Sequence, residues 1–291
     1  MRSTTLADRA IRWYEATARD LPWRQAGTSA WGVLVSEIML QQTPVARVVP
    51  VWRSWSRRWP TPALLAAEPS GEAIRAWGRL GYPRRALRLH ECAAALVDRH
   101  GGEVPSELAP LLALPGVGAY TARAVATFAF AQRHPVVDTN VRRLVARVVG
   151  GRAHGGPATT AVDLASVLSL LPPAPERAAR ASVAFMELGA LVCTARDPAC
   201  DECPLRSLCR WRRAGRPAEI GSPARRPQTY AGTDRQVRGL LLAFVRDSDG
   251  PVPRASLDAV WLDAEQRRRA LAGLLEDGLV VQTAPDQYGL P

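Results

Sequence analysis

Residues 193–209 read CTARDPACDECPLRSLC, four cysteines spaced Cys193-x6-Cys200-x2-Cys203-x5-Cys209. The chain has five cysteines in all, an odd and clustered set. The N-terminal stretch MRSTTLADRAIRWYEATARD has no apolar run ending in a small-residue cleavage site, so a secreted disulfide framework does not suit it. Four soft sulfur ligands with no histidine among them suit zinc or an iron–sulfur cluster. The spacing matches neither the usual zinc pairs nor the ferredoxin runs, so spacing alone leaves both open. A centre held by four protein thiolates keeps no open position, which favours a structural role over a catalytic one. Cys92 stands apart in RLHECA (88–93) and reads as a packed helix thiol rather than a nucleophile.

Upstream of the cysteines, apolar residues recur at helical spacing. Periodic runs are expected as helices at 28–39, 61–67, 72–80, 84–99, 140–149, 161–171 and 176–191, broken by Gly and Pro. Strand patterns are nearly absent. The expected class is all-α, a bundle of helices with loops presenting function. Residues 212–232, RRAGRPAEIGSPARRPQTYAG, lack apolar periodicity and read as a basic linker. Beyond it, 235–245 and 264–275 read as helices, 253–261 less clearly so, and 279–283 with 287–290 as a hairpin. Together they predict a winged-helix-like module over 233–291.

Hydrophobic residues make up 47% of the chain and charged residues 22%, an ordinary globular composition. No apolar stretch is long enough to span a bilayer, so a soluble, cytoplasmic protein is expected, with no membrane partner. The net charge of +11 points to a polyanionic partner. All 38 basic residues are arginine, so no lysine amine is available for a Schiff base.

Three further segments are weak when taken singly. In LPGVGAYTA (114–122) the turn glycines Gly116 and Gly118 flank Val117 ahead of a helix, whose first free N–H groups could take a phosphate oxygen; an ordinary helix connector is the bland alternative. In SEIMLQQT (36–43) Glu37 lies among apolar neighbours, where burial would raise its pKa and suit it to act as a general acid. Gln41 and Gln42 could hydrogen-bond base edges, and a solvated helix-face Glu is the alternative. In VVDTNVRR (136–143) Asp138 precedes a helix and could simply cap it.

Taken together and in this order, these segments resemble the MutY-type adenine DNA glycosylases of the endonuclease III, helix-hairpin-helix superfamily, over roughly residues 10–210. LPWR (21–24), GRLGY (78–82) followed by Arg84, Arg85 and Ala86, and LGA (188–190) extend the match. The resemblance implies a two-lobed helix-hairpin-helix fold, with a cluster-bearing lobe from 1–20 and 129–211 and a helical-bundle lobe with the helix-hairpin-helix over 21–128, and a [4Fe-4S] cluster on the four cysteines, with Arg196 and Arg206 turned to DNA. It implies double-stranded DNA with a mispaired adenine as partner, the base being flipped into a pocket between the lobes. Glu37 would protonate the adenine and Asp138 stabilise the cationic sugar, with Asn140 beside it. Tyr120 stands where bifunctional relatives carry lysine, which implies a monofunctional enzyme without lyase activity. Gln41, Gln42 and Tyr82 would fill or wedge the space beside the flipped base, and Trp23 and Arg24 would line the adenine pocket. A monomer is expected, nucleoid-associated when bound to DNA.

This chain departs from the family pattern in three places. Val183 stands where several relatives carry a Gln or Glu that reads the base. Thr139 replaces a common glycine. The residues after Cys209 are too few for the Nudix-like unit that reads 8-oxoguanine, although Arg267, Arg268 and Arg269 could meet the opposite strand. A thymine or uracil mismatch glycosylase would share the fold but would not need Glu37. A redox-sensing regulator would leave Glu37, Asp138, Tyr120 and the hairpin unexplained.

Overall fold

The computed structural model describes residues 2–156, 158–218 and 230–291. Helix α1 (Arg2–Thr17) leads through a 3-10 turn (Pro22–Arg24) into α2 (Ala30–Leu40), α3 (Val45–Arg58), α4 (Pro62–Ala66), α5 (Ser70–Trp77) and α6 (Arg84–His100). The short α7 (Leu108–Leu112) and α8 (Ala119–Phe128) flank the 114–118 turn. Then come α9 (Thr139–Val148), α10 (Ala161–Leu170), α11 (Pro175–Leu191) and α12 (Arg210–Arg213). The C-terminal part holds α13 (Asp234–Arg246), β1 (Val252–Pro253), α14 (Arg254–Asp258), α15 (Ala264–Glu276), β2 (Val281–Ala284) and β3 (Gln287–Gly289).

Several helix starts are written locally. Asp138 caps α9 through the Val141 amide. Thr160 and Asp163 form a capping box on α10, and Thr233 and Asp263 cap α13 and α15. Gly101 closes α6 in the left-handed region at φ 60°, where a side chain would be strained. Of the expected linker, residues 219–229 lie outside the described residues, and Arg212 and Arg213 already belong to α12. Among the described residues no helix is long and apolar enough to cross a membrane.

The chain divides into two compact units, Met1–Val33 with Ser106–Leu112 and Val117–Ala224, and Leu34–Pro105 with Ala113–Gly116 and Arg225–Pro291. In the first, α11 is the central helix. It packs on α1 and α9 around Ala10, Val141, Leu144, Phe185 and Leu188, all nearly inaccessible. In the second, Trp55, Trp59 and Trp77 form the centre, edge to face at 4.8 and 5.6 Å between ring centroids.

The C-terminal residues of the second unit form a winged helix of three helices and a sheet ordered β1-β3-β2, both pairings antiparallel. The expected hairpin is β2–β3; the segment from Pro253 splits instead into β1 and α14, because Val252 and Pro253 pair with Tyr288 and Gln287. The module is not a loosely tethered appendage. Arg75 on α5 donates to the carbonyls of Arg246 and Ser248, and Arg246 returns a bond to the Gly78 carbonyl at 2.8 Å. The Gly71 amide donates to the Pro291 carbonyl at 2.7 Å.

That last contact leaves no room for a side chain, since a Cβ at Gly71 would lie 2.5 Å from the Pro291 oxygen and 2.8 Å from Leu290 Cβ. Gly71→Ala is therefore expected to lift the C-terminal strand from α5 and to cost about 1–3 kcal/mol of stability. Urea unfolding should register the loss, and hydrogen exchange should show faster exchange at Tyr288.

Candidate functional site

In the first unit the turn into α9 carries Asp138. Its Oδ1 accepts from the Val141 amide at 2.7 Å and its Oδ2 from Asn140 Nδ2 at 2.8 Å. The capping role considered from sequence is real, and it leaves the carboxylate available for chemistry. Burial raises its pKa above the ordinary 3.8, while the bonds from Val141 and Asn140 and the charge of Arg143 oppose the rise. A poorly solvated carboxylate fixed by donors interacts strongly with a cation brought against it.

The network continues through Asn140. Its Oδ1 accepts from the Arg143 guanidinium at 2.8 Å; the same guanidinium donates to the Gly189 carbonyl at 2.6 Å and, through Nε, to the Cys193 carbonyl at 2.7 Å. Asp138, Asn140 and Arg143 thus form one hydrogen-bonded series ending on the backbone of the first cysteine. Gly189 makes the approach possible, because a Cβ there would lie 2.7 Å from the Asn140 carbonyl oxygen and 2.8 Å from its carbon. Tyr120 is half-buried on the first turn of α8.

Cys193, Cys200, Cys203 and Cys209 are free and line one recess with Leu144, Val148 and Trp211. Burial pushes the Cys193 thiol up and that of Cys203 to about 11, so four thiolates here need a cationic group among them. Among the described residues no three His, Cys, Asp or Glu side chains converge on a single metal ion. Four sulfurs lining one recess, with no His, Asp or Glu beside them, suit a soft metal centre, zinc or an iron–sulfur cluster. Arg147, buried at 2% exposure, donates to Cys193 Sγ at 3.4 Å and to the Thr194 carbonyl at 2.7 Å, and stacks on Trp211 at 4.5 Å. Sequence reading passed over Arg143 and Arg147, although both lie on α9, the helix that Asp138 caps.

Trp23 is buried, and Arg24 is already engaged. Both its terminal nitrogens lie 3.0 Å from Glu187 Oε2, and Arg19 grips the same carboxylate at 2.7 and 2.8 Å. Glu187 is fully buried and was not foreseen. The available signal was a lone acid inside the apolar AFMELGAL (184–191) of α11. It lies one turn beyond Val183 on the same helix face, with both its oxygens taken by Arg19 and Arg24.

The second unit carries Glu37 on α2, 7% exposed among buried Leu34, Val35, Ile38 and Met39, so the solvated-face alternative fails. Arg85 closes the end of that helix. Its guanidinium donates to the carbonyls of Ile38 at 2.9 Å, Met39 at 3.0 Å and Gly81 at 2.9 Å, and to Thr43 Oγ1 at 2.9 Å. Burial lowers its pKa to about 10, which still leaves it charged at neutral pH. Arg85 also contacts the Gln41 carbonyl, and both Gln42 (φ 56°) and Tyr82 (φ 51°) adopt left-handed backbone in the turns it holds. Gln41, Gln42 and Tyr82 are therefore gathered around one arginine. In the hairpin, Gly116 (φ 76°) passes so close to Arg88 that a Cβ would meet Arg88 Cβ at 3.0 Å. Val117 is buried, and Gly118 stands at the N-cap of α8. Cys92 is buried, which pushes its thiol to about 12, as expected of a packed, unreactive cysteine.

Comparison with known proteins agrees with this architecture. The profile of the HhH-GPD superfamily of base excision DNA repair proteins matches residues 35–168, and that of the iron–sulfur binding domain of endonuclease III matches 193–209. The adenine DNA glycosylase of Mycolicibacterium smegmatis is 59% identical over 281 residues, 96% of this chain and 94% of that protein. That of Mycobacterium tuberculosis is 56% identical over 282 residues, 97% and 92%. The chain belongs to the MutY-type adenine DNA glycosylases. A solved thermostable thymine-DNA glycosylase superposes with TM-score 0.65 at 25% identity, over 72% of this chain and 97% of that one. As a member of this family the chain is a DNA glycosylase of base excision repair with an iron–sulfur centre.

Two outcomes follow for the first unit. Gly189→Ala should push the Asp138–Asn140 turn off α11 and slow base release by about a hundredfold, measured in single-turnover assays. Burial alone would raise the pKa of Glu187, but Arg19 and Arg24 outweigh it and hold the pKa below the ordinary 4.5. The stability contributed by the pair is then full above about pH 4.5 and is lost as pH falls through the lower, folded value. Glu187→Ala should cost about 3 kcal/mol at neutral pH, less as the solution is acidified, in denaturant titrations at several pH values.

Proposed function

We propose that the chain hydrolyses the N-glycosidic bond of adenine mispaired with 8-oxoguanine or guanine in double-stranded DNA, acting as a monofunctional enzyme that leaves an abasic site. The observation that carries this reading is the oriented, partly desolvated Asp138 in a chain whose near full-length relatives are named for adenine removal.

The target nucleotide is flipped from the stack, at a cost of a few kcal/mol. Glu37, in its buried setting, delivers a proton to the adenine ring, and the base leaves with the electrons of the glycosidic bond. The sugar becomes cationic at C1′, and ionised Asp138, oriented by Asn140, stabilises it until water adds. Tyr120 places its hydroxyl beside that sugar. Trp23 and Arg24 line the adenine pocket. Gln41, Gln42 and Tyr82 occupy space near the flipped base, and Gly116, Val117 and Gly118 present backbone N–H groups to a phosphate. Cys193, Cys200, Cys203 and Cys209 would hold a [4Fe-4S] cluster, which when bound would supply the positive charge their thiolates need and tie down the loop at the end of the Arg143 network. With no lysine in the chain, no side-chain amine can form the imine that leads to strand cleavage. The protein works as a cytoplasmic monomer.

Purified protein should release adenine from duplexes with A opposite 8-oxoguanine and A opposite G, and leave T and U opposite G intact. Borohydride should trap no covalent complex; efficient trapping, or cutting confined to the T and U duplexes, would refute the proposal. Asp138→Asn separates the two effects of this carboxylate. Its raised pKa means the folded state favours the protonated form, so its charge costs stability at neutral pH. The variant should melt no lower than the native protein yet lose about a thousandfold in base release.

A further inference from the structure

The C-terminal module brings an arginine to Tyr82. Arg235 lies in the first turn of α13, and its guanidinium carbon is 5.3 Å from the centroid of the Tyr82 ring. The Arg85 guanidinium lies 5.4 Å from the same centroid. The ring beside these cations is 45% exposed, on a residue whose backbone is left-handed at φ 51°. Below the loop, Trp77 Nε1 donates to the Gly81 carbonyl at 3.0 Å, tying it to the tryptophan core.

Helix α13 is fixed along this loop. Arg235 meets Tyr82 near its start, and Arg246 bonds the Gly78 carbonyl at its end; Arg84 pairs with Asp277 at the end of α15, 3.2 Å away. The triplet expected to meet DNA is otherwise occupied. Arg267 bonds Asp258 at 2.8 Å, Arg268 pairs with Glu265, and Arg269 reaches Asp234 at 3.4 Å and Glu265 at 3.7 Å. Arg235 has no carboxylate within ion-pair distance among the described residues.

An exposed aromatic ring with unneutralised guanidinium beside it is the composition of a nucleic-acid stacking platform. A base or sugar covers the ring while the cation meets a phosphate, and the cation–π contact holds the two in register. We infer that the C-terminal module is a DNA-contacting part of the enzyme, and that Arg235 is a positioning residue that steadies the Tyr82 ring and neutralises a phosphate of the duplex beside it. The inference rests on the reading of the chain as a DNA glycosylase.

The test compares Arg235→Ala with Arg99→Ala, which removes the same charge from the exposed far end of α6. Binding to a duplex carrying a non-hydrolysable adenine nucleotide opposite 8-oxoguanine is followed by fluorescence anisotropy across a salt series. Arg235→Ala should weaken binding about tenfold and flatten the plot of log affinity against log salt by about 0.9, the signature of one lost phosphate contact. Arg99→Ala should change neither appreciably, and Arg235→Lys should restore the salt slope. In a Tyr82→Ala background the loss should shrink, because the ring no longer couples to the cation. An Arg235→Ala protein that matches Arg99→Ala in both readouts, or a loss equally large with and without the ring, overturns the inference. If native protein releases adenine normally in that case, only this inference fails; if it releases none from any duplex, the glycosylase reading itself fails.

Discussion

One guanidinium holds the first unit in a working shape. Arg143 ties the turn of Asn140, on its own helix, to a stretch distant in sequence that runs from the end of α11 at Gly189 to the first cysteine at Cys193. Its planar fork fixes direction as well as distance, and a flexible ammonium could not hold the same three at once. The turn that aims Asp138 is therefore set by where the cysteine loop begins. Whatever fixes that loop also fixes the carboxylate.

Arg85 repeats the solution in the second unit. It adds donors to the last carbonyls of α2, at Ile38 and Met39, and reaches the loop of Gly81 and Tyr82 with the same group. Burial of such a charge is costly, and here nearly every donor finds an oxygen. The surplus of arginine, read from composition as an attraction for DNA, is thus partly spent inside. Arg85, Arg143, Arg147 and Arg246 serve as multi-pronged braces between segments, and the charge left for DNA is smaller than the net figure implies.

What the sequence made legible was local. The cysteine spacing, the Pro-Gly-x-Gly turn, the caps and the apolar spacing of the helices each depend on neighbours within a turn or two, and most expected helix boundaries fall within about two residues, while α5 stops at Trp77 short of the expected residue 80 and α14 covers only Arg254–Asp258 of 253–261. Asp138, Glu37 and the cysteines were named because their types are rare in such contexts. Glu187 and Arg143 were not singled out, and Gly189 and Arg85 entered only within stretches that extend the family match, because what they do lies in partners tens of residues away. Gly189 is an ordinary helix residue until the Asn140 carbonyl is seen against it. The module's shape was legible from its periodicities, but its docking was not, since Arg75 and Gly78 carry no mark of the helix that binds them.

That docking has a consequence for how the protein is made. Residues 34–105 leave the ribosome early, while the helix that lies along their 78–84 loop follows only after α7–α12 have been synthesised. Until then the Gly78 carbonyl, the Arg75 side chain and one side of the Tyr82 ring face solvent or whatever else is near. The second unit closes across a long sequence separation, so its last step is slow and comes after the first unit can already be whole. A nascent chain stalled within α13 would display an open seam along the 78–84 loop.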